Sequence, residues 1–143
     1  MEDLGAIERL AGAMRRRRAS ELRAFGISLR QYELISLARR RVGLTLAAAA
    51  RELDCDRPTM TVIARNCVGL GVLDRKLSKR DGRQGILALT GAGEELLDRI
   101  EAARSVDANG GEPLDVLPAD ERAAFLRAAD RVARRAQDLW GQS

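Results

Sequence analysis

The sequence predicts a mainly α-helical fold with a small β-wing, in which a winged helix-turn-helix is flanked by N- and C-terminal helices. Two observations predict it. Two short segments with apolar residues at helical spacing, within residues 45–70, are separated by a turn. Two strand-like segments follow within residues 72–89 and are joined by the charged sequence SKRDGRQ.

The composition is that of a single globular domain with a local basic patch. The chain has 143 residues, of which 45% are apolar and 32% are charged. Aromatic residues make up only 3%, which disfavours stacking on single-stranded nucleic acid or RNA. The formal net charge is +4, and five basic residues fall within positions 75–83. This clustering indicates a polyanionic partner.

Several classes of protein are disfavoured by what the sequence lacks. It has no histidine and two cysteines, Cys55 and Cys67, so neither a zinc site nor another cofactor is expected. There is no plausible pair of nucleophile and base and no phosphate-binding loop, which makes an enzyme the least favoured class. Neither a signal peptide nor an apolar run of membrane-spanning length is present, so a cytoplasmic location is expected.

A long amphipathic first helix is expected over residues 3–24, ending near Gly26. Its apolar stripe includes Leu4, Ile7, Leu10 and Met14. The run of four arginines at 15–18 wraps a full helical turn and cannot form one face. We interpret it as a solvated collar with acidic partners; phosphate contact or an interface ion network is the alternative.

The second and third helices have recognisable starts and inner faces. Ser28 is expected to cap a helix over about 29–41, which turns Leu34, Ile35, Leu37 and Ala38 inward. The third helix has a narrow inner face made of Leu46, Ala49, Ala50 and Leu53. Asp54 lies where the chain must turn, and Asp tolerates left-handed backbone angles.

The fourth helix has the chemistry of a DNA recognition helix. Asp56 is expected to cap it, Pro58 suits its first turn, and its inner stripe is expected to be Met60, Ile63, Cys67 and Leu70. Arginine can read guanine, and the methyl groups of valine and threonine can contact thymine methyls. The alternative is an ordinary solvent-exposed helix face. The proposed recognition residues are Arg57, Pro58, Thr59, Thr61, Val62 and Arg65.

The hairpin is expected to act as a basic wing. Its strands are predicted at Val72–Leu77 and Gly85–Leu89, with a turn at Asp81-Gly82. Asp81 can accept hydrogen bonds from Arg83 and hold it out toward a narrow minor groove. A surface salt bridge of little consequence is the alternative. The residues expected to position DNA are Arg75, Lys76, Ser78, Lys79, Arg80 and Arg83, with Asp81 as the orienting group.

The C-terminal region is expected to form an interface with a second copy of the chain. Thr90 can cap a fifth helix over about 91–105, with Leu96, Leu97, Ile100 and Ala103 as its inner residues. A sixth helix follows over about 119–140 after a loop rich in Gly, Pro and Asp. The expected dimer interface combines two apolar stripes: Leu4, Ile7, Leu10 and Met14 with Phe125, Val132, Leu139 and Trp140.

The ordered set of motifs resembles the MarR family of bacterial transcription regulators. The residues that match are Leu44-Thr45, Leu53, Thr59, Thr61, Gly71, Asp81, Arg83, Leu89-Thr90 and Gly93, together with Gln31, Leu117-Pro118 and Glu121-Arg122. The resemblance implies a homodimer on a palindromic promoter site, often released by a small aromatic compound or an oxidant. It also implies an effector cleft lined by the first, second and fifth helices, where Tyr32 is a candidate contact; a packing role is the alternative.

The sequence departs from the family pattern at several positions. Val68, Gly69 and Leu70 stand where the family usually has charged residues before Gly71, and Gly82 replaces a residue that is often basic. Oxidant sensors of the family use a cysteine in the first helix, and this chain has none there. Cys67 is expected in the core, whereas Cys55 lies in a turn, where a redox role is a minor hypothesis.

These observations predict one domain over 1–143, with dimerisation helices at 1–27 and 91–143 and a DNA-binding lobe at 28–90. The function expected is that of a homodimeric, sequence-specific regulator of transcription that binds double-stranded DNA, most simply a ligand-responsive repressor. The alternative is a dimeric winged-helix interaction module, an antirepressor or adaptor, that does not touch DNA. Val68 and Gly69 on the outer face favour that alternative, and salt-dependent DNA binding separates the two.

Overall fold

The computed structural model describes residues 4–77, 85–106 and 113–141. The chain divides into two compact units between Glu101 and Ala102. No helix in the described ranges is long and apolar enough to cross a membrane. The elements are α1 (Gly5–Arg23), α2 (Leu29–Arg40), β1 (Leu44–Thr45), α3 (Leu46–Glu52), α4 (Arg57–Gly69), β2 (Leu73–Leu77), β3 (Gly85–Leu89), α5 (Gly91–Val106), a 3-10 helix (Pro113–Val116) and α6 (Ala119–Trp140).

The core of the first unit is built around α2, whose inward stripe is the one predicted. Leu34 and Ile35 have no exposed surface, and Leu37 and Ala38 are buried with them. Met60 of α4 and Leu73 of β2 are also completely buried in this cluster. α4 and the β2–β3 hairpin therefore share one core, which fixes their relative geometry.

The predicted hairpin is present as β2 and β3, and a strand that was not predicted, β1, pairs with β3 to give three antiparallel strands in the order β1-β3-β2. β1 pairs Leu44 with Leu87 and Thr45 with Ile86. Two residues are too few to show the alternating pattern of a strand in the sequence. Leu44 and Thr45 form a strand only because they pair with β3. The pairing of β2 with β3 runs from Leu73 opposite Leu89 to Leu77 opposite Gly85.

Local hydrogen bonds start the helices where the sequence predicted. Ser28 Oγ accepts from the Gln31 backbone N–H at 3.2 Å, and Gln31 Oε1 accepts from the Ser28 backbone N–H at 2.8 Å. This reciprocal pair is a capping box, so Gln31 has a structural role at the start of α2. Thr45 Oγ1 likewise accepts from the Ala48 N–H at the start of α3.

Left-handed residues end α3 and α4. Asp54 has a φ of 51°, as predicted for the turn between them. Gly71 has a φ of 77°; its N–H donates to Val68 O while the Val72 N–H donates to Cys67 O. This pair of bonds satisfies two of the last carbonyls of α4 and forms a Schellman motif. The turn it makes leads directly into β2.

One prediction about the inner stripe of α4 was wrong. Leu70 is 52% exposed, because the helix ends at Gly69 and Leu70 lies beyond the portion that packs on the core. Ala64 is buried instead, alongside Met60 and Cys67. Ile63, also expected on this stripe, is partly buried and packs against the core.

The second unit is dominated by α6, which spans the 22 residues expected and has no buried residue. Its ion pairs are local: Arg122 with Asp115 at 3.4 Å and Arg134 with Asp130 at 3.0 Å. Ala103 was predicted to face inward on α5 but is exposed. It lies past Glu101, where the first unit ends, whereas Leu97 and Ile100 are buried in that unit.

Candidate nucleic-acid interface

The start of α4 is held by Asp56. Its Oδ1 accepts from the Thr59 backbone N–H at 2.8 Å, and its Oδ2 accepts from Thr59 Oγ1 at 2.9 Å. These hydrogen bonds, the backbone one first, lower the pKa of the Asp56 carboxyl below its ordinary value. The N-terminus of the helix thus already has an anionic partner, and Pro58 takes its place in the first turn.

The outer surface of α4 is an exposed ridge directly opposite the buried one. At about 100° per residue, Pro58, Val62, Arg65 and Gly69 fall within an arc of about 60°. All four are exposed, whereas Met60, Ala64 and Cys67 on the other side are buried. We call these four residues the outer ridge. It carries one charge, on Arg65, and is otherwise apolar.

Burial accounts for the chemistry of the cysteine beneath this ridge. Cys67 is fully buried, and desolvation raises the pKa of its thiol to about 11. The thiol is protonated at neutral pH, which fits the core role predicted for it. Cys55 is a free, partly exposed cysteine in the turn before α4 and packs against the core.

The two threonines of α4 donate their hydroxyl hydrogens to groups of the same helix and its cap. Thr61 Oγ1 donates to the Arg57 carbonyl oxygen at 2.8 Å, and Thr59 Oγ1 donates to Asp56. Each side chain has its methyl group and the oxygen lone pairs left for a partner. The predicted contacts at Thr59 and Thr61 are therefore restricted to apolar contacts and hydrogen-bond acceptance.

Asn66 is not among the recognition residues predicted from the sequence. This residue is exposed on the flank of α4, one turn after Val62. An asparagine amide has both a donor and an acceptor and can read adenine in the major groove. Its position follows from the same helical periodicity that identified Arg65, and extending the outer face by one residue would have found it.

The described part of the wing presents two basic side chains. Arg75 and Lys76 of β2 are exposed and lie opposite Leu87 and Ile86 of β3. The Arg75 side chain lies against the Gly85 backbone, close enough to collide with any Cβ there. The predicted contacts at Ser78, Lys79, Arg80, Asp81 and Arg83 lie outside the described residues, so the orienting role of Asp81 remains a prediction.

The beginning of α5 is tied to the end of α4. Thr90 Oγ1 accepts from the Gly93 N–H at 3.0 Å, which confirms the predicted cap, and donates to the Gly71 carbonyl at 2.6 Å. Farther along, Arg39 of α2 pairs with three carboxylates of α5, those of Glu94, Asp98 and Glu101. The hydrogen bond that Arg39 donates to the Asp98 carboxylate is the main cause that raises the pKa of Arg39. These contacts connect α5 to the lobe that carries α4.

The arginine run of α1 has partners within the chain. Arg15 pairs with Glu33 at 3.3 Å, Arg17 pairs with Glu21 at 2.9 Å, and the Arg18 guanidinium lies 5.6 Å from the centre of the Tyr32 ring. These contacts support the interpretation of a collar with acidic partners. Tyr32 itself is partly buried and packs against the core.

The residues predicted for the dimer interface are largely exposed in the single chain. Leu10 is partly exposed, and the other seven are exposed: Leu4, Ile7, Met14, Phe125, Val132, Leu139 and Trp140. The exposed fraction reaches 72% at Trp140 and 61% at Val132. Such surfaces are uncommon on monomeric proteins when they are contiguous.

Comparison with known proteins gives a consistent fold. No protein-family model matches the sequence, and no curated protein is similar enough in sequence to match. Among solved structures, a MarR protein from Peptoclostridium difficile matches with a TM-score of 0.80 and 18% identity, covering 97% of this chain and 90% of that one. MepR from S. aureus, in a complex with DNA, matches with a TM-score of 0.75 and 18% identity, covering 96% and 99%.

A Mycobacterium tuberculosis MarR family protein in complex with salicylic acid matches with a TM-score of 0.70 and 25% identity, covering 92% of this chain and 97% of that one. These matches extend over nearly the whole length of both partners. They agree with the element order, in which α3 and α4 precede the β2–β3 hairpin. The chain has the MarR-like winged helix fold.

Proposed function

We propose that the chain is a sequence-specific transcription regulator that binds double-stranded DNA as a homodimer in the cytoplasm. Its site is a palindrome, and its action is repression that a small aromatic ligand relieves. The observation that carries the proposal is the outer ridge of α4, which is exposed, has Arg65 near the middle of its length and is followed by the basic strand β2. An α-helix presented in this way fits the major groove, which is about 12 Å wide.

The spacing of the arginines on α4 suits a half-site. Arg57 and Arg65 are eight positions apart, which corresponds to about 12 Å along the helix axis. At about 3.4 Å per base pair, this distance spans three to four base pairs. Arg65 lies on the outer ridge and is assigned to base reading, whereas Arg57 at the helix start is assigned to phosphate contact.

The comparisons support both kinds of partner. MepR, which has this fold, is bound to DNA in its structure, and the Mycobacterium tuberculosis protein holds salicylic acid. In this chain the surroundings of Tyr32 offer matching chemistry, since the Arg18 guanidinium stacks on the ring and could pair with a carboxylate. Ser36, one turn after Tyr32 on α2, has a buried hydroxyl without a hydrogen-bond partner in the described residues.

The test of DNA binding separates base reading from phosphate contact. Arg65→Ala should weaken binding to a selected site by about 1–3 kcal/mol and broaden the base preference, because a base-reading arginine contributes to discrimination. Lys76→Ala is the matched control, since it removes one exposed cation from β2. It should weaken all sequences about equally and flatten the dependence on salt by about one unit. Binding curves on selected and scrambled DNA at several salt concentrations measure both effects.

Two results would contradict this division of roles. If Arg65→Ala, like Lys76→Ala, lost the same affinity for selected and for scrambled DNA, Arg65 would not read bases. Absence of any salt-dependent DNA binding by the unmodified protein would favour the second candidate, an antirepressor or adaptor. That candidate is supported by the exposed apolar side chains of Val68 and Leu70 at the end of α4, which are 40% and 52% exposed.

The effector proposal is tested on the free protein. Salicylate and related aromatic acids should raise the melting temperature and lower DNA affinity, because a ligand bound to the folded state stabilises it by mass action. Arg18→Gln should abolish the shift by removing the carboxylate partner. Arg16→Gln, two positions earlier in the same run, is the control and should retain it. If no aromatic acid changed the melting temperature or the DNA affinity, the protein would be a regulator without an aromatic effector.

A further inference from the structure

The outer ridge of α4 is poorly suited to phosphates and well suited to methyl groups. Val62 is 51% exposed and lies between Pro58 and Arg65 on the ridge, and Gly69 ends it without a side chain. An apolar side chain that enters the major groove gains free energy only by covering apolar surface. The apolar group that a base pair displays there is the 5-methyl of thymine.

The neighbouring hydroxyls do not change this chemistry. The hydroxyl groups of Thr59 and Thr61 already donate hydrogen bonds to Asp56 and to the Arg57 carbonyl oxygen. They therefore have no hydrogen left to donate to the acceptor atoms of a base. Besides their methyl groups, only lone pairs remain. Within α4, hydrogen-bond donation to base acceptors therefore falls to the arginines and to the exposed Asn66 amide.

Asn66 stands one helical turn after Val62 on the same side of the helix. Side chains at this spacing have Cβ atoms about 5–6 Å apart. Base pairs stack about 3.4 Å apart, so the two side chains reach positions one to two base steps from each other. Asparagine pairs with adenine through N6 and N7, and valine contacts the methyl of thymine. Both side chains select an A·T pair.

We propose that Val62 and Asn66 form an A·T-reading strip beside Arg65, so that each half-site contains A·T pairs one or two steps apart next to a guanine. Val62 reads the thymine methyl, and Asn66 reads the major-groove edge of adenine. This inference rests on the proposed DNA-binding function and specifies what the same site recognises.

The first experiment replaces a single methyl group. Sites are selected from random double-stranded DNA with the unmodified full-length chain, and each thymine is then changed to deoxyuridine, which pairs identically but lacks the 5-methyl. We expect one position per half-site to lose about fourfold in affinity, the equivalent of one buried methyl group. Val62→Ala should bind thymine and deoxyuridine at that position equally. Alanine is compatible with a helix and Val62 is exposed, so the variant folds.

The second experiment removes one acceptor from adenine. Replacing each adenine of the site by 7-deazaadenine deletes N7 and should cost on the order of tenfold at one position per half-site, the loss of one bond of a bidentate pair. Asn66→Ala should be insensitive to that replacement. The same substitutions outside the footprint serve as controls and should have no effect.

The outcomes distinguish this inference from the function on which it rests. If sites are enriched but deoxyuridine and 7-deazaadenine are tolerated everywhere, the A·T-reading strip is overturned while DNA binding stands. The same conclusion follows if Val62→Ala and Asn66→Ala retain the full sensitivity of the unmodified protein. If no site is enriched at any salt concentration, the DNA-binding proposal itself is overturned, and the inference falls with it.

Discussion

Replacing Phe125 and Val132 together by glutamate should abolish specific DNA binding although neither residue belongs to the recognition helix or the wing. Both lie on the apolar face of α6, where they are 41% and 61% exposed. Charges on that face would have to be buried if the face meets a second copy of the chain, and an unpaired buried charge is strongly destabilising. Each monomer would then hold only one half-site.

Apolar residues of α1, like those of α6, are exposed in the single chain. Of the residues of α1, only Leu22 is buried, and Leu4, Ile7 and Met14 are all more than half exposed. We expect both apolar faces to be covered in a twofold dimer with a total interface of more than about 2,000 Å². The two recognition helices would then read half-sites about 10 base pairs apart, centre to centre.

A matched control changes the charge without touching the apolar face. Arg127→Gln combined with Arg134→Gln lowers the net charge by two, as the two glutamates do, but on the opposite side of α6. The control should remain dimeric and bind its site, whereas the glutamate variant should sediment as a monomer and melt at a lower temperature. A stable monomer of the unmodified protein at micromolar concentration would contradict both the dimer and the palindromic site.

Features encoded by a few adjacent residues could be predicted from the sequence. The caps at Ser28 and Asp56, the left-handed Asp54 and the ends of α6 agree with the structure because each depends on local hydrogen bonds or on a long periodic pattern. Features that depend on distant pairing could not be predicted. β1 exists only through β3, and the link between Thr90 and the Gly71 carbonyl joins groups 19 residues apart.

In the candidate site, too, the features that follow from local periodicity could be predicted and the others could not. The exposed positions of Pro58, Val62 and Arg65 follow from periodicity alone, since the opposite face of α4 is apolar. The hydrogen bonds that the Thr59 and Thr61 hydroxyls donate could not be predicted from the sequence, because a threonine in a helix can bond either to nearby groups of its own chain or to a partner. Leu70 was misplaced because periodicity does not reveal where a helix ends relative to the core that covers it.

Gly93→Ala should destabilise the fold strongly, which gives the glycine of the Leu-Thr-x-x-Gly motif a physical role. Gly93 is buried in the first turn of α5. A Cβ added there would collide with the Val72 carbonyl oxygen and would lie 2.5 Å from Leu89 Cδ1. The leucine side chain can move, but the carbonyl belongs to the backbone and also accepts from the Thr90 N–H at 3.1 Å. Relief of the collision therefore requires α5 to move away from β2.

The sign of the effect depends on two opposing contributions. Alanine in a helix gains about 1 kcal/mol over glycine, whereas overpacking against an immobile group costs about 1–3 kcal/mol and more when backbone must shift. Because the obstructing atom is a backbone oxygen, we expect a net loss of about 2 kcal/mol and a melting temperature lower by several degrees. DNA affinity should fall as well, since the Gly93 N–H and Gly71 carbonyl bonds to Thr90 that join α5 to α4 would be strained.

Gly91→Ala is the matched control, two positions earlier in the same helix. Apart from Gly91 itself, its chain neighbours and the adjoining helix backbone, no atom lies within 4 Å of the position that a Cβ would take, and the exposed position permits alanine without strain. Its stability should be unchanged or slightly raised, because alanine restricts the unfolded chain. Urea denaturation of the two variants measures the difference directly. Equal stability would mean that α5 tilts freely at its first turn, and the Thr90 link could then not transmit the orientation of α5 to the recognition helix.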